Sequence, residues 1–287
     1  MVTPAAPAVS PVALVDALNG VFGKHMARSS HARGIWMAGQ FEAAPTAAAI
    51  TRAKMFQAGR RTPLIGRFSI GRGNPKAPDN GKSVRGIAAR AGEGADRLEW
   101  IFVSAPHFFA QTPAQFVEFM KVRAPDPATT RQAAYLAGQP VLASFATVPC
   151  WSTSAFMATN AAGKTQALRW RFEPVAGRVG LSDDEAKAKG ADFLRAELSE
   201  RLATGAVVVN VIAQLAQARD QLLDPTDPWP ADRTEVIMGR LVIDRSTGPS
   251  CDRETFIPTI LPTGIAASGD PTLAARAASY AMSLSRR

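Results

Sequence analysis

Two residues near the C-terminus, Arg276 and Tyr280, have types and a spacing that could hold a metal ion. The run from Asp270 to Arg286 is rich in alanine and is predicted to form a helix, on which residues four apart share one face. Arg276 can therefore place its guanidinium against the phenol oxygen of Tyr280, and a permanent cation beside a phenol favours the phenolate. A buried phenolate is a hard, anionic ligand that suits ferric iron. The pair alone is not specific, because a packed tyrosine beside a surface arginine is common.

A second group of candidate residues lies near the other end of the chain, in two short runs. Residues 28–34 read RSSHARG and residues 62–69 read TPLIGRFS, with a strand-like segment between them. These runs resemble the distal half of the haem pocket of catalases, where the patterns are R-x-x-H-A-[KR]-G and T-P-x-x-x-R-F-S. The side chains that carry the pattern are Arg28, His31, Arg67 and Ser69.

The resemblance continues in the same order through almost the whole chain, from about Leu14 to Arg287. Its further matching segments are Arg85-Gly86, residues 105–109, Trp229-Pro230, residues 239–245 and residues 262–273, which lead directly into Arg276 and Tyr280. A shared order over that span is far more specific than any single motif. The chain resembles the catalase-related peroxidases, which are compact relatives of the haem catalases.

The hydrophobic pattern predicts an α+β fold. Helices are predicted at residues 11–22, 113–122, 182–202 and 270–286, and strands at residues 34–43, 64–71, 85–91, 98–104, 155–160, 165–174, 207–215 and 234–244. About eight strands with inserted and appended helices match a closed barrel. The resemblance likewise implies a catalase-like antiparallel β-barrel core with inserted and C-terminal helices. We expect a flexible Pro/Ala-rich tail at residues 1–13 and a single haem-binding domain at residues 14–287.

The resemblance also implies catalytic roles on the two sides of a haem b. His31 matches the distal base, which takes a proton from one peroxide oxygen and returns it to the other as the O–O bond breaks; an unperturbed imidazole, with a pKa of about 6.5, suits that shuttle. Ser69 matches the serine that hydrogen-bonds the other ring nitrogen and fixes the tautomer. On the opposite side, Tyr280 matches the iron ligand and Arg276 its partner.

Five further residues are assigned to cofactor binding through the same resemblance. Arg28, Arg67 and Arg287 match positions that pair with the haem propionates, where the planar guanidinium suits a carboxylate. Phe116 matches a phenylalanine that packs on the distal face of the porphyrin, and Phe256 is expected to line the same pocket. An ordinary surface ion pair is the alternative for each arginine, and a core aromatic is the alternative for Phe116.

Departures from the catalase pattern bear on the reaction. Val103 stands where catalases carry a distal asparagine, and Ser104 could offer a weaker hydrogen bond from the next position. Ser83 replaces an aspartate of the entry channel, and Gly71 stands where a valine narrows it. Fewer polar contacts to peroxide and a wider entry should weaken the dismutation of hydrogen peroxide and favour the oxidation of bulkier reductants. The departures therefore favour a peroxidase over a catalase.

Composition and charge restrict the alternatives. The chain has 287 residues and a net charge of +9, with an isoelectric point near 10.1. A strongly basic chain suggests polyanionic partners, but the basic residues are dispersed and form no block of five or more, so no nucleic acid is expected. No apolar run of 18 residues predicts a membrane span. Cys150 and Cys251 lack the spacing of a zinc site, and whether they pair is left open.

The first eleven residues have neither a cationic start nor a continuous apolar segment, so this chain shows no secretory signal. The compartment is left open between cytoplasm and periplasm, and the oligomeric state between a monomer and a homodimer. The expected substrates are hydrogen peroxide or an organic hydroperoxide together with a small organic reductant.

Three functions are weighed against each other. The first is a haem peroxidase with an organic electron donor and weak catalase activity. The second keeps the haem and the fold but isomerises or dehydrates fatty-acid hydroperoxides without a reductant. The third is a non-enzymatic basic protein that binds haem or nucleic acid, for which salt-dependent DNA binding would be the sign. An apolar channel and a substrate-induced spectral change without a reductant would indicate the second; we favour the first.

Overall fold

Strand-forming segments dominate the described part of the chain, which covers residues 9–122, 131–247 and 254–287 of this computed structural model. The helices are α1 (Pro11–Phe22), α2 (Pro113–Val122), α3 (Arg131–Ala137), α4 (Asp183–Ala188), α5 (Phe193–Thr204) and α6 (Pro271–Ser285). The strands are β1 (Gly34–Ala43), β2 (Arg61–Ile70), β3 (Arg85–Ala91), β4 (Leu98–Val103), β5 (Val141–Leu142), β6 (Cys150–Trp151), β7 (Phe156–Thr159), β8 (Thr165–Pro174), β9 (Gly180–Leu181), β10 (Val207–Leu215), β11 (Glu235–Thr247) and β12 (Ile265–Ala267).

Eight of these strands form a closed antiparallel barrel. Their order is β10-β11-β1-β2-β3-β4-β6-β8, and β8 pairs back with β10 to close the circle. The junction between β4 and β6 is the weakest part of the wall, since these strands pair only at Val103 and Trp151. Strand β7 pairs with the first half of β8 and carries β12, whereas β5 and β9 form a separate two-stranded sheet. The predicted fold class, an α+β protein with a catalase-like barrel core and helices, is confirmed.

The barrel interior is filled by aromatic side chains. The ring centroid of Trp100 lies between 5.5 and 6.5 Å from those of Phe41, Phe56, Trp170 and Phe172. All five residues are at most 1% exposed. Because the interior is a packed core, any large binding site has to lie outside the barrel wall.

Neighbouring residues of β2, β3 and β4 point to opposite faces of the wall, as the period of two requires. Phe68 of β2 and Trp100 of β4 lie in the buried core. Their sequence neighbours Arg67, Ser69 and Ile101 border a cavity outside the barrel. These three strands therefore supply both a core and one wall of a site.

Helices α1, α2 and α6 contact one another on the outside of this wall. Ser10 caps α1 by accepting a hydrogen bond from the amide of Ala13 (3.1 Å), with Pro11 in the first turn. Asp270 caps α6 in the same way through the amide of Thr272 (2.8 Å), with Pro271 following. The caps determine where each helix begins, and thereby the turn on which each functional side chain lies.

The predicted helix at residues 182–202 is wrong as a single element. It begins as predicted, with the capping box of Ser182 and Glu185, but α4 ends at Ala188 and α5 begins at Phe193. The loop at Asp79 stabilises the break: its amide donates to the carbonyl of Ala191 (2.9 Å), and its carboxylate accepts from the amide of Leu194 (2.9 Å). Gly190, a poor helix former, lies between the two helices.

Some predictions fall at the margins of the described ranges. The structure describes the predicted tail only from residue 9, and α1 already begins at Pro11. Cys150 is buried, whereas Cys251 lies outside the described residues, so their pairing stays untested. Among the helices that the structure describes, none is both long and apolar enough to cross a membrane.

Candidate active site

A cavity of about 690 Å³ lies between the outer face of β2–β4 and helices α1, α2 and α6. This volume falls within the range of about 300–1,000 Å³ that is typical of ligand and cofactor pockets. All nine residues assigned from the sequence line it: Arg28, His31, Arg67, Ser69, Phe116, Phe256, Arg276, Tyr280 and Arg287. The structure therefore brings together side chains that are up to 259 positions apart, from Arg28 to Arg287.

His31 and Ser69 form a hydrogen-bonded pair on one wall. The Nδ1 atom of His31 lies 2.9 Å from Oγ of Ser69, and that hydroxyl donates to the carbonyl of Gly86 at 3.3 Å. Because the serine proton is directed to Gly86, its oxygen accepts from Nδ1–H of His31. This arrangement leaves Nε2 as the proton acceptor of the ring.

A glycine is required beside this pair. A Cβ atom added at Gly86 would lie 2.7 Å from Nδ1 of His31 and 2.7 Å from Oγ of Ser69. His31 itself has a positive φ of 52°, which is uncommon for a residue other than glycine. The imidazole is thus held by a strained backbone, by one hydrogen bond and by close contact with the next strand.

The electrostatic surroundings keep the imidazole of His31 neutral. Desolvation by burial, with a smaller contribution from the positive charges of Arg67, Arg276 and Arg85, lowers its pKa from 6.5 to about 4. At neutral pH the ring is therefore an acceptor of protons rather than a cation. This protonation state is the one that a general base needs.

Arg276 and Tyr280 contact each other on α6, as their spacing predicts. The Nε atom of Arg276 donates to the phenol oxygen of Tyr280 at 2.9 Å, and its guanidinium carbon lies 5.6 Å from the centre of the phenol ring. The other end of the guanidinium lies 3.4 Å from the carbonyl oxygen of Ile101 in β4. Arg276 therefore links the tyrosine to the barrel wall.

The segment that carries His31 is also attached to α6. The hydroxyls of Ser29 and Ser283 lie 3.0 Å apart, and the amide of Ser29 donates to the Ser283 oxygen at 3.3 Å. Both residues are buried. The contact holds the histidine segment against the helix that presents Tyr280. The two halves of the site are therefore connected directly.

Six cationic side chains border the cavity, and among the described lining residues there is neither an aspartate nor a glutamate. Arg67 donates to the carbonyls of His31 and Ala32 at 2.8 and 2.9 Å. Arg28 donates to the carbonyl of Glu254 at 2.6 Å and lies over the ring of Trp36. The six are Arg28, Arg67, Arg72, Lys82, Arg276 and Arg287. A ligand with carboxylates would complement this surface.

Aromatic rings complete the lining. Phe116 of α2 lies 6.3 Å from Phe108 and 5.4 Å from Phe109, measured between ring centroids. Phe256 is 5% exposed and lies 5.6 Å from the ring of Trp36. Flat apolar walls of this kind suit a large planar ligand.

Two expectations about the peroxide side of the cavity need correction. Ser104 does not reach the site: its hydroxyl accepts from the amide of Arg85 at 2.8 Å and it does not line the cavity, because it points to the other face from Val103. Gly71 does not by itself widen the entry. An added Cβ would lie 2.2 Å from a methyl group of Val84, so Val84 already fills that space.

The residues present fit the haem that the sequence resemblance implies. The described lining has six cations and no carboxylate, which complements the two propionates of a haem. Thr255 also borders the cavity, and its buried hydroxyl has no hydrogen-bond partner within the described chain. The described residues contain no cluster of three or more His, Cys, Asp or Glu that could hold a metal ion. An iron atom here would therefore need a porphyrin for most of its ligands.

Sequence reasoning missed three residues of the site. Gly86 belongs to a matched segment, and a glycine within a strand is a signal of close approach. Arg72 lies between two glycines, which indicates a loop but not its position at a cavity. No pattern in the sequence distinguishes Thr255.

Sequence comparison places the chain among known proteins. The family model named Catalase matches residues 23–137 and 129–287. A catalase-related peroxidase of Synechococcus elongatus is 32% identical over 99% of this chain and 90% of its own length. A catalase-related peroxidase of Mycolicibacterium paratuberculosis is 30% identical over 97% of this chain and 95% of its own length.

Solved structures share the fold at lower identity. A bacterial catalase superposes with a TM-score of 0.81 at 22% identity, over 100% of this chain and 63% of the catalase. Catalase A from Saccharomyces cerevisiae gives 0.78 at 22% identity, over 91% of this chain and 61% of its own. The matched length, the order of the motifs and the barrel lead to one conclusion: this chain belongs to the catalase family.

Proposed function

We propose that this protein is a haem-dependent peroxidase that reduces hydrogen peroxide or organic hydroperoxides with electrons from a small organic donor, with weak catalase activity beside it. Membership of the catalase family implies haem, and haem b is the form that we propose. The observation that carries the proposal is that the His31–Ser69 pair and the Arg276–Tyr280 pair border one cavity.

Each cofactor-binding residue has a defined task in this proposal. Tyr280 would provide the protein ligand to the iron, and Arg276 would keep its hydrogen bond to the phenol oxygen. The guanidiniums of Arg28, Arg67 and Arg287 pair with the two propionates. When bound, the haem supplies the redox-active iron that gives electrons to the peroxide.

Phe116 and Phe256 would provide apolar surface for the porphyrin. Both rings border the cavity; Phe116 packs against Phe109, which also lines it, and Phe256 packs against Trp36. They exclude water from the reacting centre, which strengthens the electrostatic contacts inside it.

His31 moves the proton. Its Nε2 atom would take the proton from one oxygen of the peroxide, and the imidazolium would return the proton to the other oxygen as the O–O bond breaks. The departing oxygen leaves as water from hydrogen peroxide or as an alcohol from an organic hydroperoxide. Ser69 holds Nδ1–H, so the same nitrogen accepts and returns the proton in each cycle.

The preference for peroxidase over catalase turnover follows from Val103. This apolar side chain borders the cavity where the catalase pattern has an amide, and the neighbouring Ser104 is directed away. With one polar contact fewer, a second hydrogen peroxide molecule is held less well as the electron donor. An organic donor takes that place.

The test is to purify the protein from cells supplied with a haem precursor. We expect one haem b per chain with a five-coordinate, high-spin ferric spectrum, and faster oxidation of a small phenol or dye than release of oxygen from hydrogen peroxide. A colourless protein that takes up no added hemin would contradict the cofactor. Vigorous oxygen release without donor oxidation would make the protein a catalase. Light scattering on the same sample distinguishes a monomer from a homodimer.

A further inference from the structure

Two cations that border the cavity have no task in the mechanism above. The haem brings two propionates, to which Arg28, Arg67 and Arg287 are assigned, and Arg276 is engaged with Tyr280. Arg72 and Lys82 remain, and both lie in the segment between β2 and β3. A surplus of positive charge in a cavity without lining carboxylates is a reason to look for an anionic substrate.

Arg72 is held in an unusual conformation beside the histidine segment. Its φ is +86°, and among the described residues only it and His31 have a positive φ without being glycine; both border the cavity. The carbonyl of Arg72 accepts a hydrogen bond from the amide of Ala32 (3.3 Å), the residue that follows His31. Strained residues of this kind concentrate at functional sites.

The side chain of Arg72 is exposed, and no described residue forms a hydrogen bond or an ion pair with its guanidinium. Lys82, which borders the same cavity, lies 3.1 Å from Asp183, but both side chains are exposed, and such pairs contribute little. The guanidinium is therefore available to a ligand, and Lys82 adds to the positive potential around it.

Apolar side chains flank Arg72 on both sides. Phe22 of α1 packs against the backbone of Gly73, and Val84 packs against Gly71. Both side chains border the cavity, together with Leu18 and Val21 of α1. A carboxylate bound to Arg72 would have its hydrocarbon chain against these residues.

We propose that Arg72, supported by Lys82, binds the carboxylate of a long-chain hydroperoxy acid, so that the hydroperoxide group on the chain reaches His31. The proposal rests on the proposed function and names its substrate class. The reaction is the one given above: two electrons from the organic donor and two protons reduce the hydroperoxide to an alcohol and water.

The experiment compares linoleic acid hydroperoxide, its methyl ester and hydrogen peroxide as substrates of the haem-loaded protein. The test variant is Arg72→Asn, because asparagine tolerates a positive φ. Arg72→Lys keeps the charge, and Arg219→Ala removes an exposed arginine that lies outside the cavity lining. We expect Arg72→Asn to lower kcat/KM for the acid about tenfold or more, mainly through KM, because a charge-assisted hydrogen bond is lost. Ester and hydrogen peroxide should change less than twofold.

A second measurement does not depend on turnover. Calorimetric binding of linoleate, which lacks the hydroperoxide, should weaken by a similar factor in Arg72→Asn, be partly restored in Arg72→Lys and be unchanged in Arg219→Ala. Normal peroxidase activity with equal kcat/KM for acid and ester in the wild type would overturn this inference alone. Loss of all peroxidase activity with linoleate binding intact would overturn the proposed function instead. Consumption of the acid without a reductant would replace reduction by isomerisation and leave the carboxylate site in place.

Discussion

The two sides of the cavity are built in different ways. The tyrosine side depends on one helix: Arg276 and Tyr280 are four residues apart on α6, and their hydrogen bond follows from helical geometry once Asp270 has capped the helix. The histidine side depends on contacts between distant segments. His31, Ser69 and Gly86 come from a loop and two strands, and none of their contacts follows from local geometry.

This difference decides how each side responds to change. A local pair tolerates alteration of its surroundings as long as the helix forms, so its function depends on the chemical identity of one atom, the phenol oxygen. An assembly of distant segments depends on shape as well, and a single added methyl group can disturb it. The predictions below test this contrast.

The largest effect is expected from Tyr280→Phe. A phenyl ring cannot coordinate iron, so this variant should lose most of its haem or most of its activity. Arg276→Ala should retain more haem, because the ligand is kept and only its hydrogen bond is lost. The haem content of both variants, measured per chain after identical preparation, tests the order. Equal haem content and turnover in Tyr280→Phe and the wild type would show that another residue is the ligand.

The next effect is expected from His31→Ala. Haem should bind normally, while the reaction with peroxide slows by about 10²–10⁴-fold, which is the usual contribution of general acid–base catalysis. Stopped-flow absorption of the haem after mixing with hydrogen peroxide measures the rate. Ser69→Ala, which keeps the imidazole and removes its partner, is the matched control and should be less impaired. An unchanged rate in His31→Ala would remove the histidine from the mechanism.

Gly86→Ala sharpens the comparison, because it changes shape alone. The added Cβ would lie 2.7 Å from both polar atoms of the His31–Ser69 pair, so the imidazole has to move. We expect the rate with peroxide to fall about 10–100-fold, since misplacement of a catalytic group by about 1 Å can cost 10²-fold, while haem content stays normal. Ala275→Gly, a change of the same size on the tyrosine helix, should leave the rate with peroxide within twofold. Comparable losses of activity in both variants would contradict the contrast.

The smallest effect is expected in the pH dependence of activity. Because the pKa of His31 is lowered to about 4 in the folded protein, the base stays unprotonated down to mildly acidic pH. The kcat/KM for peroxide should be flat from about pH 8 to pH 5 and fall only near pH 4. A limb centred near 6.5, the value of an unperturbed histidine, would contradict this.

The lowered pKa of His31 also makes the stability of the folded protein depend on pH. Between pH 6.5 and 4 the unfolded chain binds a proton at His31 that the folded chain does not, so the free energy of unfolding falls as the pH falls through this window. The decrease should be smaller in His31→Ala but not absent, because burial also lowers the pKa of His107. Chemical denaturation of both proteins at pH 7 and pH 4.5 measures the difference.

The sequence predicted the local parts of the molecule well. Strand bounds at 34–43, 85–91, 165–174 and 207–215 agree with the structure, since their alternating or apolar patterns are set by burial on the barrel wall. The predicted helix at 182–202 was wrong because a tertiary contact from Asp79 interrupts it. Local propensity carries no information about a carboxylate that arrives from a distant loop.

The sequence predicted which residues belong to the candidate site but not how they are arranged. The nine residues came from resemblance, and their convergence on one cavity agrees with it. That Val84 fills the space beside Gly71, and that Ser104 faces away, both depend on how strands and loops pack against each other. Arg72 was missed because its significance lies in a backbone conformation and in a cavity lining whose described residues include no carboxylate, neither of which a motif describes.

The alternation of β2, β3 and β4 between core and cavity has a consequence for how such a protein can diversify. Inward residues such as Trp100 and Phe68 carry the stability of the barrel, while outward residues such as Ala88, Ile101 and Val103 meet only the ligand side. A lineage can therefore vary the outward positions without giving up the scaffold. The side chains that stabilise the barrel and those that face the ligand therefore lie largely on separate faces of the same strands. Substrate preference can change through a few substitutions on the cavity face.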